Sequence, residues 1–481
     1  MKICYYNWID FSDKLQNGGG VSIYQNNLIN NSDNDCFFIS SGTYYKPPFN
    51  KISYYIEDKK ARIYNSPVLA PAHLSFGDNN QIESLELDNI FVDILNEFGD
   101  LDIIHFNNLE GISCSLLKLI KKKFPKVKIV LSMHNYYPFC SQVNLWYKEN
   151  QSCGNFDNGE KCLDCVKIPH SQNTIKIIYF MKEILNKLKI KRELIFLKRS
   201  LKLFLKEYNN IKKFLKLHKS SNKLETKVNT NNQQSSFFYR RNTFIENINK
   251  YVDGILCVSY RVQEICISFG IKKEKCHTMY IGTEHAKYFK ENNFHAEEEK
   301  KDNIFTIAYL GYMRKDKGFL FLLSALDKID INISRNIRLV IAAKKEDSAF
   351  TELTKISRKF YSLEYYDGYN HDTINDILKQ VDLGIIPPLW EDNLPQVAIE
   401  MHCRRIPLLT STAGGAKELH HNNPKFTFIS GDIDSFKIHL ENLFKKGIDK
   451  HQYFSNVLTP KTMQEHILEL DQYYLEIIKN N

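Results

Sequence analysis

The stretch Asp382–Glu418, DLGIIPPLWEDNLPQVAIEMHCRRIPLLTSTAGGAKE, decides the fold. Leu383–Ile386 is a short apolar run closed by Pro387-Pro388, the form of a buried parallel strand. Pro395 stands where proline is tolerated, at the first turn of a helix, and Gln396–Cys403 continues that helix. Pro407–Thr410 then gives a second short strand before Gly414-Gly415. Strand, loop, helix and strand in this order imply a parallel sheet covered by helices.

Working outward, the same grammar recurs. Phe305–Leu310 and Ile337–Ala343 are predicted strands, with helices over Gly318–Leu326 and Asp372–Gln380. In the first half, Lys2–Tyr6, Ile103–Phe106, Lys128–Met133 and Tyr251–Ser259 are predicted strands. A helix from Val21 follows the loop Asn17–Gly20, and Cys114–Lys122 and Arg261–Phe269 are helical. The fold class is therefore α/β. A chain of 481 residues is too long for one ordinary core, and two Rossmann-like domains facing across a cleft are expected. They span 1–285 and 304–455, joined by the charged linker 286–303. The segment 456–481 closes the chain, with Ile467–Ile478 an amphipathic helix.

Composition excludes several classes. A hydrophobic fraction of 43% and a charged fraction of 25% describe a globular chain, not a disordered or fibrous one. No run is apolar for long enough to span a bilayer, and Met1–Ile9 enters a strand pattern with no basic leader. The expected location is the cytoplasm, or the inner face of the cell membrane. The net charge of +9 is unevenly placed: residues 175–219 hold 14 Lys and Arg against 3 Glu, interleaved with Ile, Leu and Phe. With the polar run Ser220–Ser236, this forms a basic helical insertion at about 170–236 of the first domain. It reads either as a solvated hairpin or as an amphipathic surface for anionic lipid headgroups.

Two clusters carry chemistry in the second domain. Gly311 closes a strand and Arg314-Lys315-Asp316-Lys317-Gly318 leads into a helix, a turn suited to a diphosphate. Glu391 and Asp392 occupy the loop after the predicted strand, and Glu400 lies inside the helix. Asp392 and Glu400 are spaced to hold different hydroxyls of one extended ligand, and Gly414 and Gly415 would admit an anion close to backbone amides. In the first domain His105 and His134 each end a buried strand.

These residues resemble the retaining glycosyltransferases of family 4, which have the GT-B fold. The resemblance lies in Gly311 to Lys317-Gly318, in Asp392 and Glu400 with seven residues between, and in Gly414-Gly415 before Glu418. It implies that Lys317 and Arg314 bind a donor diphosphate and Glu400 the ribose. Asp392, Glu391 and the backbone of Asn393, Leu394 and Pro395 then meet the transferred sugar. Gly19 and Gly20 approach the donor phosphate, and His134, with His105 and Asn135, lies on the acceptor side. Tyr312 stands where the family commonly has arginine, and Asn135 where it has aspartate. The implied catalytic set is His134, Asp392 and Lys317, with no metal or other cofactor required. The implied partners are a UDP-, GDP- or ADP-sugar and a saccharide or lipid-linked acceptor, as in cell-surface polysaccharide synthesis; no nucleic acid is expected.

Eleven cysteines include Cys140, Cys153, Cys162 and Cys165, with a C-x-x-C pair in the loop 140–165. Four thiolates at this spacing suit a structural zinc; reduced thiols or a redox pair are the alternatives. Two rival functions are a nucleotide-sugar epimerase on the same fold and a zinc-containing nucleic-acid-binding protein.

Overall fold

A computed structural model describes residues 1–11, 19–165, 171–187, 230–291 and 303–479. Residues 188–229 of the basic insertion, Asn17 and Gly18 of the glycine loop, and 292–302 of the expected linker lie outside the described residues.

The first sheet contains β1 (Lys2–Asn7), β2 (Asp35–Tyr44), β3 (Ser53–Glu57), β4 (Lys60–Tyr64), β5 (Ile103–Phe106), β6 (Lys128–Met133), β9 (Gly254–Cys257) and β10 (Cys276–Thr278). Its order among the described residues is β10-β9-β6-β5-β1-β2-β4-β3, parallel except for the β3–β4 hairpin. The short pair β7 (Trp146–Tyr147) and β8 (Gln151–Ser152) stands apart in the cysteine loop. The second sheet runs β13-β12-β11-β14-β15-β16 and is wholly parallel. Its strands are β11 (Phe305–Tyr312), β12 (Ile337–Lys344), β13 (Ser362–Tyr366), β14 (Leu383–Ile386), β15 (Leu408–Ser411) and β16 (Thr427–Phe428).

Both sheets are apolar on both faces, which is why their strands read as continuous hydrophobic runs. In β1, Cys4 and Tyr6 face the core made with the helices Leu85–Phe98 and Ser115–Lys123, while Ile3 and Tyr5 face the opposite side. In β11, Ile307 and Tyr309 face one core and Ala308 and Leu310 the other. Strand order reverses between β1 and β5 in one sheet and between β11 and β14 in the other. Ligands of open α/β sheets bind beyond the carboxyl ends of strands at such points.

Three sequence expectations shift. The strand expected over Tyr251–Ser259 contracts to Gly254–Cys257, because Tyr251 ends the helix Thr230–Tyr251. The helix expected over Asp372–Gln380 covers only Ile374–Leu378. Within the expected linker, Ala286–Glu291 is helical, with Ala286 and Phe289 buried.

The last helix, Met463–Lys479, packs on the first domain: Met463, Ile467, Leu470 and Tyr474 join Ile3, Tyr5, Phe38 and Val130 in one core. It brings His466 to the Tyr24 hydroxyl (2.7 Å) and the Tyr474 hydroxyl to His105 Nδ1 (2.5 Å). Burial, with the neighbouring histidines His134 and His466 adding to it, lowers His105 to about 3. Burial likewise lowers His466 to about 3 and His134 to about 4. The unfolded chain takes up these protons near pH 6.5, whereas the folded chain resists them until far lower pH. Their contribution is therefore complete above about pH 6.5 and declines as pH falls from there toward the folded values. At pH 5 each such histidine costs about 2 kcal/mol. The expected result is a Tm that falls steeply between pH 7 and 5 and falls less steeply in His466→Gln. Equal slopes in the two proteins would refute this account.

Candidate active site

The carboxyl ends of the two sheets line one cleft of about 760 Å³. The second domain contributes Gly311, Lys317, Asp392, Asn393, Leu394, Pro395 and Glu400; the first contributes Gly19, Gly20, Tyr24 and His134.

Local chemistry explains how these residues are presented. Gly318 is left-handed (φ +76°) and precedes the helix Phe319–Leu326. A Cβ there would lie 1.6 Å from the Pro387 carbonyl oxygen, so only glycine lets the Lys317 turn lie against the end of β14. The Leu389 amide donates to the Asp316 carbonyl (3.1 Å) and ties the two loops together. Pro395 has extended φ/ψ and starts the helix Gln396–Cys403, from which Glu400 faces the cleft.

Lys317 Nζ donates to Asp392 Oδ2 at 2.6 Å and stands 5.0 Å from the Trp390 ring centroid. The ammonium is thus partly shielded by an indole face and held by one carboxylate. Glu400 accepts from the Tyr369 hydroxyl at 2.6 Å. Burial raises the Glu400 carboxyl above its ordinary value, against the opposing pull of Tyr369 and Arg404. Arg404, fully buried, donates to the Glu400 carbonyl and to Asn375, and so fixes that helix from beneath. His134 is held neutral by burial and lies 3.3 Å, through Nε2, from Asn107 Oδ1.

Several expected site residues go elsewhere. Arg314 is exposed and pairs with Asp316 through both Nε and Nη2 (2.9 and 2.7 Å), so it does not line the cleft. Glu391 turns away from the cleft to Arg261 of the first domain, at 2.7 and 2.9 Å. Gly414 and Gly415 pack behind the Asp392 loop: the Gly414 amide donates to Glu391 and the Gly415 amide to the Asp392 carbonyl. His105 is fully buried with both ring nitrogens engaged, by Tyr474 and Ser132. Asn135 forms a local turn to the Tyr137 amide and donates to Glu110 (2.7 Å), whose carboxyl burial raises to about 7.

The four expected zinc ligands, Cys140, Cys153, Cys162 and Cys165, are free thiols of intermediate exposure. Burial raises Cys162 to about 12 and Cys165 to about 11, with the neighbouring cysteines of the cluster adding to it. Among the described residues, no group of three His, Cys, Asp or Glu side chains is arranged to hold a metal ion.

Tyr369, His371, His285, Lys344 and Trp390, none of them singled out in the sequence, also line the cleft, as does Tyr312 at the expected arginine position. Tyr369 and His371 had a usable signal, lying in the polar turn after β13 at a sheet's carboxyl edge. His285 had none; it reaches Glu400 (3.8 Å) only because the crossover between domains runs past it.

A sequence search of curated proteins finds no match. Structural likeness extends over the whole chain at low identity. Sucrose-phosphate synthase from Thermosynechococcus elongatus matches at TM-score 0.55 and 11% identity, covering 100% of both chains. The UDP-forming α,α-trehalose-phosphate synthase from Burkholderia xenovorans matches at 0.57 and 13%, covering 100% of this chain and 99% of that one. Anabaena HepE in complex with UDP matches at 0.51 and 12%, covering 100% and 98%. The shared architecture is GT-B, two Rossmann-like domains around a cleft. Residues 290–457 match the family model described as glycosyl transferases group 1. The matched stretch takes in the Lys317 turn, the Asp392 loop and the Glu400 helix.

Proposed function

We propose that this protein transfers a sugar from a nucleoside-diphosphate donor to a hydroxyl of a saccharide or lipid-linked acceptor, with retention of anomeric configuration. One observation carries the reading: Lys317, Asp392 and Glu400 of one domain and His134 of the other line a single cleft at two sheet reversal points.

In this reading Glu400 accepts hydrogen bonds from the ribose hydroxyls. Lys317 exchanges its Asp392 partner for the donor diphosphate and offsets the negative charge that grows there as the glycosidic bond breaks. Asp392, so released, accepts from a hydroxyl of the transferred sugar. His134, neutral throughout the physiological range, offers a hydrogen bond rather than a charge to that sugar. The acceptor hydroxyl attacks from the face of the departing diphosphate and gives its proton to it, and the closed domains exclude competing water. Family resemblance supports retention. UDP is the nucleotide bound in the Anabaena HepE structure, which favours a uridine donor.

A thermal-shift screen of UDP, GDP, ADP and their common sugars tests the donor. A ligand bound only by the folded state at 100 times its Kd stabilises by about 2.7 kcal/mol. One nucleotide series should raise Tm and the others should not. No shift with any nucleotide, in protein shown to be folded, would overturn the proposal.

A further inference from the structure

The loop that faces the transferred sugar is held from the opposite domain. The helix Tyr260–Ser268 of the first domain points its N-terminus at the second domain. Its first amides, Tyr260 N and Arg261 N, donate to the two oxygens of Glu418 at 2.9 and 2.7 Å, so a carboxylate of one domain caps a helix of the other. The Tyr280 hydroxyl donates to the same carboxylate (2.6 Å). Ser259 Oγ, the N-cap, donates to the Asn393 carbonyl (2.8 Å), and Asn393 Nδ2 donates to the Met133 carbonyl, one residue before His134 (3.3 Å). A Cβ on Gly415 would lie 2.2 Å from the Asn393 oxygen and 2.7 Å from Ser259 Oγ, which explains the second glycine: it lets these segments meet.

At the centre of this contact the Arg261 guanidinium grips Glu391 with two parallel N–H bonds, the geometry that fixes orientation as well as distance. Glu391 adjoins Asp392 in the chain and also accepts from the Gly414 amide (3.0 Å), and the next amide, Gly415, holds the Asp392 carbonyl (2.9 Å). Arg261 itself does not line the cleft. Its second carboxylate contact, Glu264, is an exposed neighbour on the same helix and fixes nothing across the interface.

We propose that Arg261 is a positioning residue for sugar transfer, acting through Glu391 to hold Asp392 and Asn393 against the sugar when the domains are closed. The inference rests on the transferase reading above. It separates two jobs within one cleft. The groups that face the nucleotide, Lys317 and Glu400, sit on the second domain and make no contact with Arg261. The groups that face the sugar depend on the Arg261–Glu391 fork from the first domain.

The test compares wild type, Arg261→Ala, Arg261→Lys, Glu391→Gln and the double variant Arg261→Ala/Glu391→Gln. Calorimetry with UDP reads the nucleotide half of the site; turnover of UDP-sugar, including slow hydrolysis by water, reads the sugar half. Arg261→Ala should lower kcat roughly 10²-fold, the cost of a displacement near 1 Å at a reacting centre. Its UDP affinity should stay within about twofold of wild type, because the affinity groups are untouched. Lysine, which supplies charge without the fork, should recover only part of the rate. Glu391→Gln should match Arg261→Ala, and the double variant should be no worse than either, since both break one link. If Arg261→Ala fails to fold, Glu391→Gln gives the same reading alone. Wild-type turnover in Arg261→Ala, a loss of UDP affinity in step with the rate, or additive losses in the double variant would each overturn the inference. Wild type that binds none of UDP, GDP or ADP would instead overturn the transferase reading, and this inference with it.

Discussion

Replacing Lys317 by methionine is expected to lower kcat by roughly 10²–10³-fold, the range seen when one preorganised charge-stabilising donor is removed from an active site. Methionine matches the apolar stem of lysine up to Cε, so the packing along Trp390 is largely preserved and the ammonium is what is lost. Arg314, the nearby cation in the turn, is committed to Asp316 and points out of the cleft, so it is not placed to substitute. UDP affinity should fall as well, because in the proposed reading the lysine faces the diphosphate before and during bond cleavage. The fall in kcat should exceed the fall in affinity for the intact sugar nucleotide, since the leaving diphosphate carries more charge in the transition state than in the bound donor. Steady-state turnover and calorimetry with UDP and the intact sugar nucleotide together check this. A variant within about threefold of wild type in kcat would remove Lys317 from the proposed chemistry.

Gly318→Ala should have the largest effect on folding. A left-handed alanine costs about 1 kcal/mol by itself. The Cβ must in addition displace the Pro387 carbonyl, which it would approach to 1.6 Å, and overpacking against backbone typically adds about 1–3 kcal/mol. The expected destabilisation is about 3 kcal/mol, or about 6–12 °C in Tm for a domain of this size. Gly368 supplies the control: it is also left-handed (φ +88°), with nothing within 4 Å of its Cβ, so Gly368→Ala should show only the backbone cost. Equal losses at the two positions, read by urea titration, would show that the contact with β14 is not what matters.

The pairing of these two neighbours shows what was legible in the chain. Strands such as Leu383–Ile386 and Phe305–Tyr312, and the helix Gln396–Cys403, were readable because a strand buried on both faces must be continuously apolar and proline marks a helix start. The strand β2, the hairpin β3–β4 and the helix Leu85–Phe98 were not read. The strands of the hairpin are five residues each and mix charged and tyrosine residues with the apolar ones, so neither gives the continuous apolar run of a strand buried on both faces. The resemblance assigned both Glu391 and Asp392 to the sugar, and only Asp392, the acid eight residues before Glu400, lines the cleft.

The sequence by itself determined two α/β domains, the Lys317 turn, and the loop and helix that carry Asp392 and Glu400. Each of these rests on residues close in the chain, where periodicity, proline and glycine act directly on the backbone. Only the tertiary structure decided which partner each charge takes. Arg314 pairs with Asp316, and His105 is buried beneath the last helix. Glu391 crosses to Arg261, 130 residues earlier in the chain. Such choices turn on how two domains dock and on which carboxylate lies within hydrogen-bond reach of a guanidinium, distances that no local pattern encodes.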